Sequence, residues 1–195
     1  MIHFVLGGAR SGKSRFAEQQ TLILAEVNKK QPVYIATATA IDDEMINRIN
    51  KHQTGRGDVW QLIECPLFLS EQLAKLSARK EAANQQENQD IYLLDCLTLW
   101  LNNQLFSVEG KNKVEQEQHL NNAIEQLVDT LSQFNLDIVI VSNEVGLGVI
   151  PMGASTRLYV DYCGWLNQAV AKVAGKVTLV TAGIPLTIKP QQISN

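Results

Sequence analysis

A chain of 195 residues with 45% hydrophobic content and a net charge of −3 has the size and composition of one ordinary globular domain. The charge balance lacks the overall basic footprint of a nucleic-acid-binding domain, and no run reaches the ~18 apolar residues of a membrane span. The apolar start, MIHFVL, is too short for a signal peptide. Cys65, Cys96 and Cys163 are odd in number, far apart and without a C-x-x-C pair, which argues against a disulfide framework or a zinc site. Reduced thiols in a soluble, cytoplasmic, single-domain protein spanning 1–195 are expected.

In chain order, Val- and Ile-rich runs predict buried strands at Ile2–Leu6, Val33–Thr37, Ile91–Asp95, Ile138–Ser142 and Val177–Thr181, with Leu186–Lys189 as an edge strand. Helical spacing predicts helices over Lys13–Glu26, Asp42–His52, Leu67–Lys80, Val114–Phe134 and Arg157–Ala174. Polar stretches at 82–89 and 109–118 read as helix ends and loops. Strands alternating with helices imply an α/β fold, a mostly parallel central sheet flanked by helices.

The first turn carries the chemistry. Residues 7–14 read GGARSGKS and match G-x-x-x-x-G-K-[ST], with Gly7, Gly12, Lys13 and Ser14 at the fixed positions. Such a loop follows a strand and opens a helix. Its glycines let backbone N–H groups converge on phosphate oxygens, and the helix offers its positive end to the same anion. Lys13 reaches the β- and γ-phosphates, and Ser14 can ligate Mg²⁺. A P-loop NTPase usually carries an acid at the end of a second buried strand. Asp95 fits that place, as a Mg²⁺ partner, as the cap of the next helix, or as both. No N-K-x-D guanine signature occurs, so a molecular switch is disfavoured.

The stretch from Ala36 to Glu64 is the second informative one. Thr39 suits an N-cap, with Asp42 three residues on. Asp42, Asp43 and Glu44 crowd the first turn, Arg48 and Lys51 the last, and Gly55 is a natural stop. Met45, Ile49 and His52 then share one helical face. By spacing alone His52 is either structural or a nucleophile. A neutral imidazole beside a triphosphate can attack the α-phosphorus. His3 and His119 read as structural. Glu144, just past a strand end, is a candidate general base or a turn contact.

Several stretches together resemble the bifunctional adenosylcobinamide kinase / adenosylcobinamide-phosphate guanylyltransferase family of cobalamin biosynthesis. They are GGARSGKS, YIATA at Tyr34–Ala38, DDEM…RI…H…GR from Asp42 to Arg56, Trp60 and Glu64, LLDCLT at Leu93–Thr98, SNEVGLGVIP at Ser142–Pro151, and LNQ at Leu166–Gln168. The resemblance implies a RecA-like P-loop fold, a homotrimer and two reactions. A γ-phosphoryl group passes from ATP or GTP to adenosylcobinamide. GMP then passes from GTP to adenosylcobinamide phosphate through a guanylyl-histidine, giving adenosylcobinamide-GDP. His52 matches the guanylylated histidine, and with Lys13 makes the expected catalytic pair. Gly7, Gly8, Ala9, Arg10, Ser11, Gly12, Lys13, Ser14, Thr37, Ala38, Thr39, Gln53, Thr54, Gly55, Arg56, Glu64 and Asp95 match nucleotide-contacting positions. Ser14 and Asp95 are the expected Mg²⁺ ligands. Gly57, Val160 and Trp165 depart from the family pattern, which puts substrate handling in question more than nucleotide chemistry. Two competing readings are a small-molecule P-loop kinase without nucleotidyl transfer and a RecA-like regulatory NTPase module.

Overall fold

The computed structural model describes residues 1–39, 59–82, 90–148 and 152–191. The predicted helix Asp42–His52, with Gln53–Gly57, lies outside them, as do residues 149–151. Seven strands form one sheet: β1 (Ile2–Gly7), β2 (Gln31–Ala36), β3 (Gln61–Glu64), β4 (Asp90–Asp95), β5 (Ile138–Asn143), β6 (Lys176–Thr181) and β7 (Ile184–Lys189). The described helices are α1 (Lys13–Asn28), α2 (Leu69–Ala82), α3 (Leu97–Ser107), α4 (Lys113–Ser132) and α5 (Ala154–Val173).

The strand order is β3-β2-β4-β5-β1-β6-β7. All neighbours pair in parallel except β6 with β7. The five predicted buried strands are present, and β1, β4 and β5 are buried almost throughout, as continuous apolar runs require. Alternate residues of each strand feed opposite faces. On one face Phe4, Leu94 and Ile140 pack with Leu73 of α2, Trp100 of α3, Leu127 of α4 and Leu166 of α5. On the other, Val5, Leu93 and Val141 pack with Ala17 of α1. Trp100 is 1% exposed, and its truncation to Ala would cost about 3–5 kcal/mol.

Two elements escape the sequence reading. Helix α3 is LTLWLNNQLFS, and six of its residues are buried. Polar Thr98, Asn103 and Gln104 are among the buried ones while apolar Phe106 is exposed, so no clean 3.6-residue apolar stripe marks it. Strand β3 has four residues at the sheet edge, with Gln61, Leu62 and Glu64 exposed, too few and too open for a buried run. Thr37 falls just past the end of β2 rather than inside it.

The order places the C-terminal ends of β1, β4 and β5 along one edge. The β1 chain runs out to α1 and then β2 on one side, while β5 crosses β1 through α5 to reach β6 on the other. Strand order reverses at β1, where open α/β sheets form their ligand crevice.

Candidate active site

The turn after β1 lies in that crevice. Gly7 must lack a side chain, because a Cβ there would meet Ser11 Oγ at 2.4 Å and the Val180 carbonyl at 2.6 Å. Gly12 adopts φ 92°, the left-handed region, and caps α1 without any side-chain hydrogen bond. The first-turn amides of α1 thus have no side-chain cap competing for them, the arrangement an anion site needs. The turn is braced from both flanks. Gly183 N–H, in the β6–β7 turn, donates to Ser11 O at 2.8 Å, and Glu144 N–H, just past β5, donates to Gly7 O at 3.0 Å.

Lys13 opens α1 and is 8% exposed, with Nζ donating to Gly8 O at 3.1 Å inside the loop. Burial holds its pKa below the usual lysine value, while Cys96 and Asp95 pull the other way. A buried ammonium held inside a glycine-rich turn at the start of a helix can receive phosphate oxygens.

Asp95 ends β4, two strand positions from β1, or about 10 Å. Strand β5 separates them, so the acid and the loop face one another across the end of a third strand. Asp95 Oδ2 accepts from the Tyr34 hydroxyl at 3.0 Å. The reading of Asp95 as a helix cap is corrected: the N-cap of α3 is Cys96, with no side-chain cap bond. Ser14 and Asp95 are each half-buried and supply a hydroxyl and a carboxylate. Hard oxygen donors of this kind suit Mg²⁺, which takes one or two protein ligands and completes its shell with phosphates and water. Among the described residues no cluster of three or more His, Cys, Asp or Glu forms a protein cage for a metal. Cys96, beside Asp95, is no nucleophile, since burial pushes its thiol up to about 11.

The other expected site residues distribute unevenly. Gly8, Ala9, Arg10 and Ser11 complete the loop, with Arg10 at φ 57°. Thr37 is fully buried, and its Oγ1 both donates to Cys96 O and accepts from Cys96 N–H, each at 2.8 Å. Ala38 and Thr39 emerge from it toward the surface. Glu64 ends β3, four strand positions from β1, or about 19 Å, and is exposed. His52, Gln53, Thr54, Gly55 and Arg56 lie outside the described residues. His3 and His119 are held by structural bonds, to Thr178 and to Gln104.

Sequence reasoning gave no role to Tyr34, Asn103 or Gly183. Tyr34 sat inside the YIATA resemblance without one. Asn103 lies in the unpredicted helix, and Gly183 in a hairpin whose approach to the phosphate loop is purely tertiary.

A family model described as cobinamide kinase / cobinamide phosphate guanyltransferase matches residues 3–188. The chain belongs to that family. The bifunctional adenosylcobalamin biosynthesis protein CobP of Pseudomonas aeruginosa is 41% identical, over 99% of this chain and all of its own length. CobU of Salmonella typhimurium is 35% identical over 97% of this chain and all of its own length. Among solved structures, an ATPase domain superposes with a TM-score of 0.51 at 12% identity, covering 91% of this chain and 68% of that one. That likeness establishes the RecA-like P-loop fold. Family membership makes this protein a bifunctional cobinamide kinase and cobinamide phosphate guanylyltransferase of adenosylcobalamin biosynthesis. It removes both competing readings, the plain kinase and the regulatory module.

Proposed function

We propose that one phosphate loop serves both reactions, holding ATP or GTP for γ-phosphoryl transfer and GTP for GMP transfer. The observation that carries this reading is the convergence of Lys13, the uncapped start of α1 and Asp95 on one crevice. In the kinase step the adenosylcobinamide hydroxyl oxygen attacks the γ-phosphorus. The bond from that phosphorus to the β,γ-bridging oxygen breaks, and the nucleoside diphosphate leaves. Lys13 and the loop amides offset the charge on the transferring group. Glu144 takes the hydroxyl proton. Its backbone bond to Gly7 sets it at the mouth of the loop, and its Oε1 accepts from the exposed Gly146 N–H at 3.2 Å. Mg²⁺ bound by Ser14 and Asp95 would supply further charge neutralisation on the phosphates.

In the guanylyl step a neutral ring nitrogen of His52 attacks the α-phosphorus and pyrophosphate leaves. A phosphate oxygen of adenosylcobinamide phosphate then attacks the same phosphorus. The P–N bond breaks, releasing adenosylcobinamide-GDP and free histidine. Gln53, Thr54, Gly55, Arg56, Thr37, Ala38, Thr39 and Glu64 complete the nucleotide contacts in this reading. A cytoplasmic homotrimer is the inferred working form; among the described residues no helix is long and apolar enough to cross a membrane.

The decisive experiment uses α-labelled GTP, quenched and denatured. Wild type should carry an acid-labile, base-stable label, and His52→Ala should lose it. A label that survives that substitution would show another nucleophile.

A further inference from the structure

The chain that carries His52 leaves the sheet after β2 and returns to it through β3. Both roots are tied to the same buried helix. Asn103, 9% exposed on α3, uses its side-chain amide twice: Nδ2 donates to Thr37 O at 2.8 Å and to Pro66 O at 3.0 Å. The first carbonyl lies just past β2, the second just past β3. Neither lies within a strand, where a ladder partner would serve it, so each depends on a side chain for satisfaction.

The tie continues to the acid. Thr37 has every polar group engaged: its carbonyl by Asn103, its hydroxyl in both directions by the Cys96 backbone, and its N–H by Asp95 O at 3.3 Å. Helix α3 itself starts directly after Cys96. One and two turns after Cys96, Trp100 Nε1 and Gln104 Nε2 both donate to Leu67 O, at 2.9 and 2.8 Å. The turn after Asp95, the first root and the second root therefore form one hydrogen-bonded block. None of these hydrogen bonds involves the Gly7–Ser14 loop or Glu144.

We infer that Asn103 is a positioning residue for guanylyl transfer: it fixes both roots of the His52-bearing segment in register with Asp95, and so with the triphosphate. This rests on the assignment of His52 as the nucleophile. The chemical reason is that in-line attack at the α-phosphorus demands a near-attack geometry, and an ångström of misplacement at a distant support is enough to lose it. Phosphoryl transfer to the corrinoid hydroxyl draws on Lys13, the loop amides, Glu144 and Asp95, none of which Asn103 bonds, and the Asp95 carboxylate keeps its Tyr34 partner when Asn103 is changed. One amide then separates the two activities.

The test uses the full chain and three readouts: the single-turnover rate of covalent labelling from α-labelled GTP, kcat and KM for cobinamide phosphorylation by ATP, and the melting temperature. Wild type must first label at His52; if it labels elsewhere or not at all, the histidine assignment falls and the present inference with it. Asn103→Ser leaves room for a water to satisfy the two carbonyls, so the fold survives while the fixed span does not. The expected result is a labelling rate at least tenfold slower, with kcat and KM of the kinase step within twofold of wild type. Asn103→Asp keeps the shape, removes the N–H pair, and is expected to show the same split should the serine variant prove insoluble. Labelling at the wild-type rate, or an equal loss in both reactions, overturns the inference.

Discussion

The Tyr34 hydroxyl donates to Asp95 Oδ2 at 3.0 Å, while the Tyr34 ring meets Trp60 edge to face with centroids 5.9 Å apart. A residue of β2 thus orients the acid at the end of β4. A hydrogen bond to a carboxylate contributes about 1.5–3 kcal/mol. Partial exposure of Asp95 argues for the low end. Tyr34→Phe keeps the ring against Trp60 and removes only the donor. Its expected effect is a rise of roughly tenfold in the Mg²⁺ concentration for half-maximal kinase activity, by the rule of tenfold per 1.4 kcal/mol. A Mg²⁺ titration of both reactions checks this, and an unchanged midpoint would show that Asp95 does not hold the metal.

Lys13 is held inside its own loop by Gly8 O, already desolvated. Ligand binding then exchanges one oxygen partner for another without a fresh desolvation cost. Lys13→Ala should lower kcat/KM of phosphorylation and of guanylylation alike, by about 10²–10³-fold, the scale of one charge-stabilising donor in a dry site. Steady-state kinetics of the two reactions measure it. Cobinamide phosphorylation at the wild-type rate would mean that a different site serves the kinase.

The sequence made the phosphate loop, the acid at the end of β4, five buried strands and the edge strand β7 legible, because each has a local signature: fixed glycines, or apolar runs rich in Val, Ile and Leu. Helix α3 was invisible because polar Thr98, Asn103 and Gln104 take buried positions and apolar Phe106 an exposed one, which blurs the stripe by which a helix is recognised. That one omission hid Trp100, Asn103 and Gln104, the donors that knit the far side of the site. Asp95 could be read as metal ligand, helix cap or both, and the backbone, with Cys96 at the cap, removes only the capping role. Both strands of the β6–β7 hairpin were legible, but the contact of its turn with the loop was out of reach, since Gly183 and Ser11 are 172 residues apart and meet only through the strand order.

His3 offers a pH test of the fold. It is 2% exposed on β1 with Nε2 against Thr178 Oγ1, and its pKa is lowered to about 4, first by burial and then by Lys176. The unfolded chain, near 6.5, binds the proton more readily than the folded one. Stability from this group is therefore fully present above pH 6.5 and is lost as pH falls toward 4. The full swing amounts to ~3 kcal/mol, as an upper bound. The difference in unfolding free energy between wild type and His3→Gln should slope across that window and be flat above it. Urea melts at a series of pH values give the curve, and parallel profiles would place the proton elsewhere.

The β6–β7 turn supplies the last test, because it separates bracing of the loop from its chemistry. Ala182 and Gly183 both have positive φ, at 50° and 78°, which makes a tight primed hairpin whose Gly183 N–H reaches Ser11 O. A Cβ on Gly183 would meet nothing within 4 Å, so Gly183→Ala introduces only the left-handed strain of an L-residue, about 1–2 kcal/mol. Relief of that strain rotates the N–H away from Ser11 O and loosens the loop that Lys13 and the α1 amides depend on. KM for nucleotide should rise about 5–10-fold in both reactions, with kcat nearly unchanged once nucleotide saturates. Gly183→Pro removes the donor outright and should cost more. Kinetics of the two variants beside their melting temperatures decide the matter. A fall in melting temperature without a rise in KM would reduce the turn to a scaffold element, whereas a rise in KM common to both reactions ties one loop to both activities.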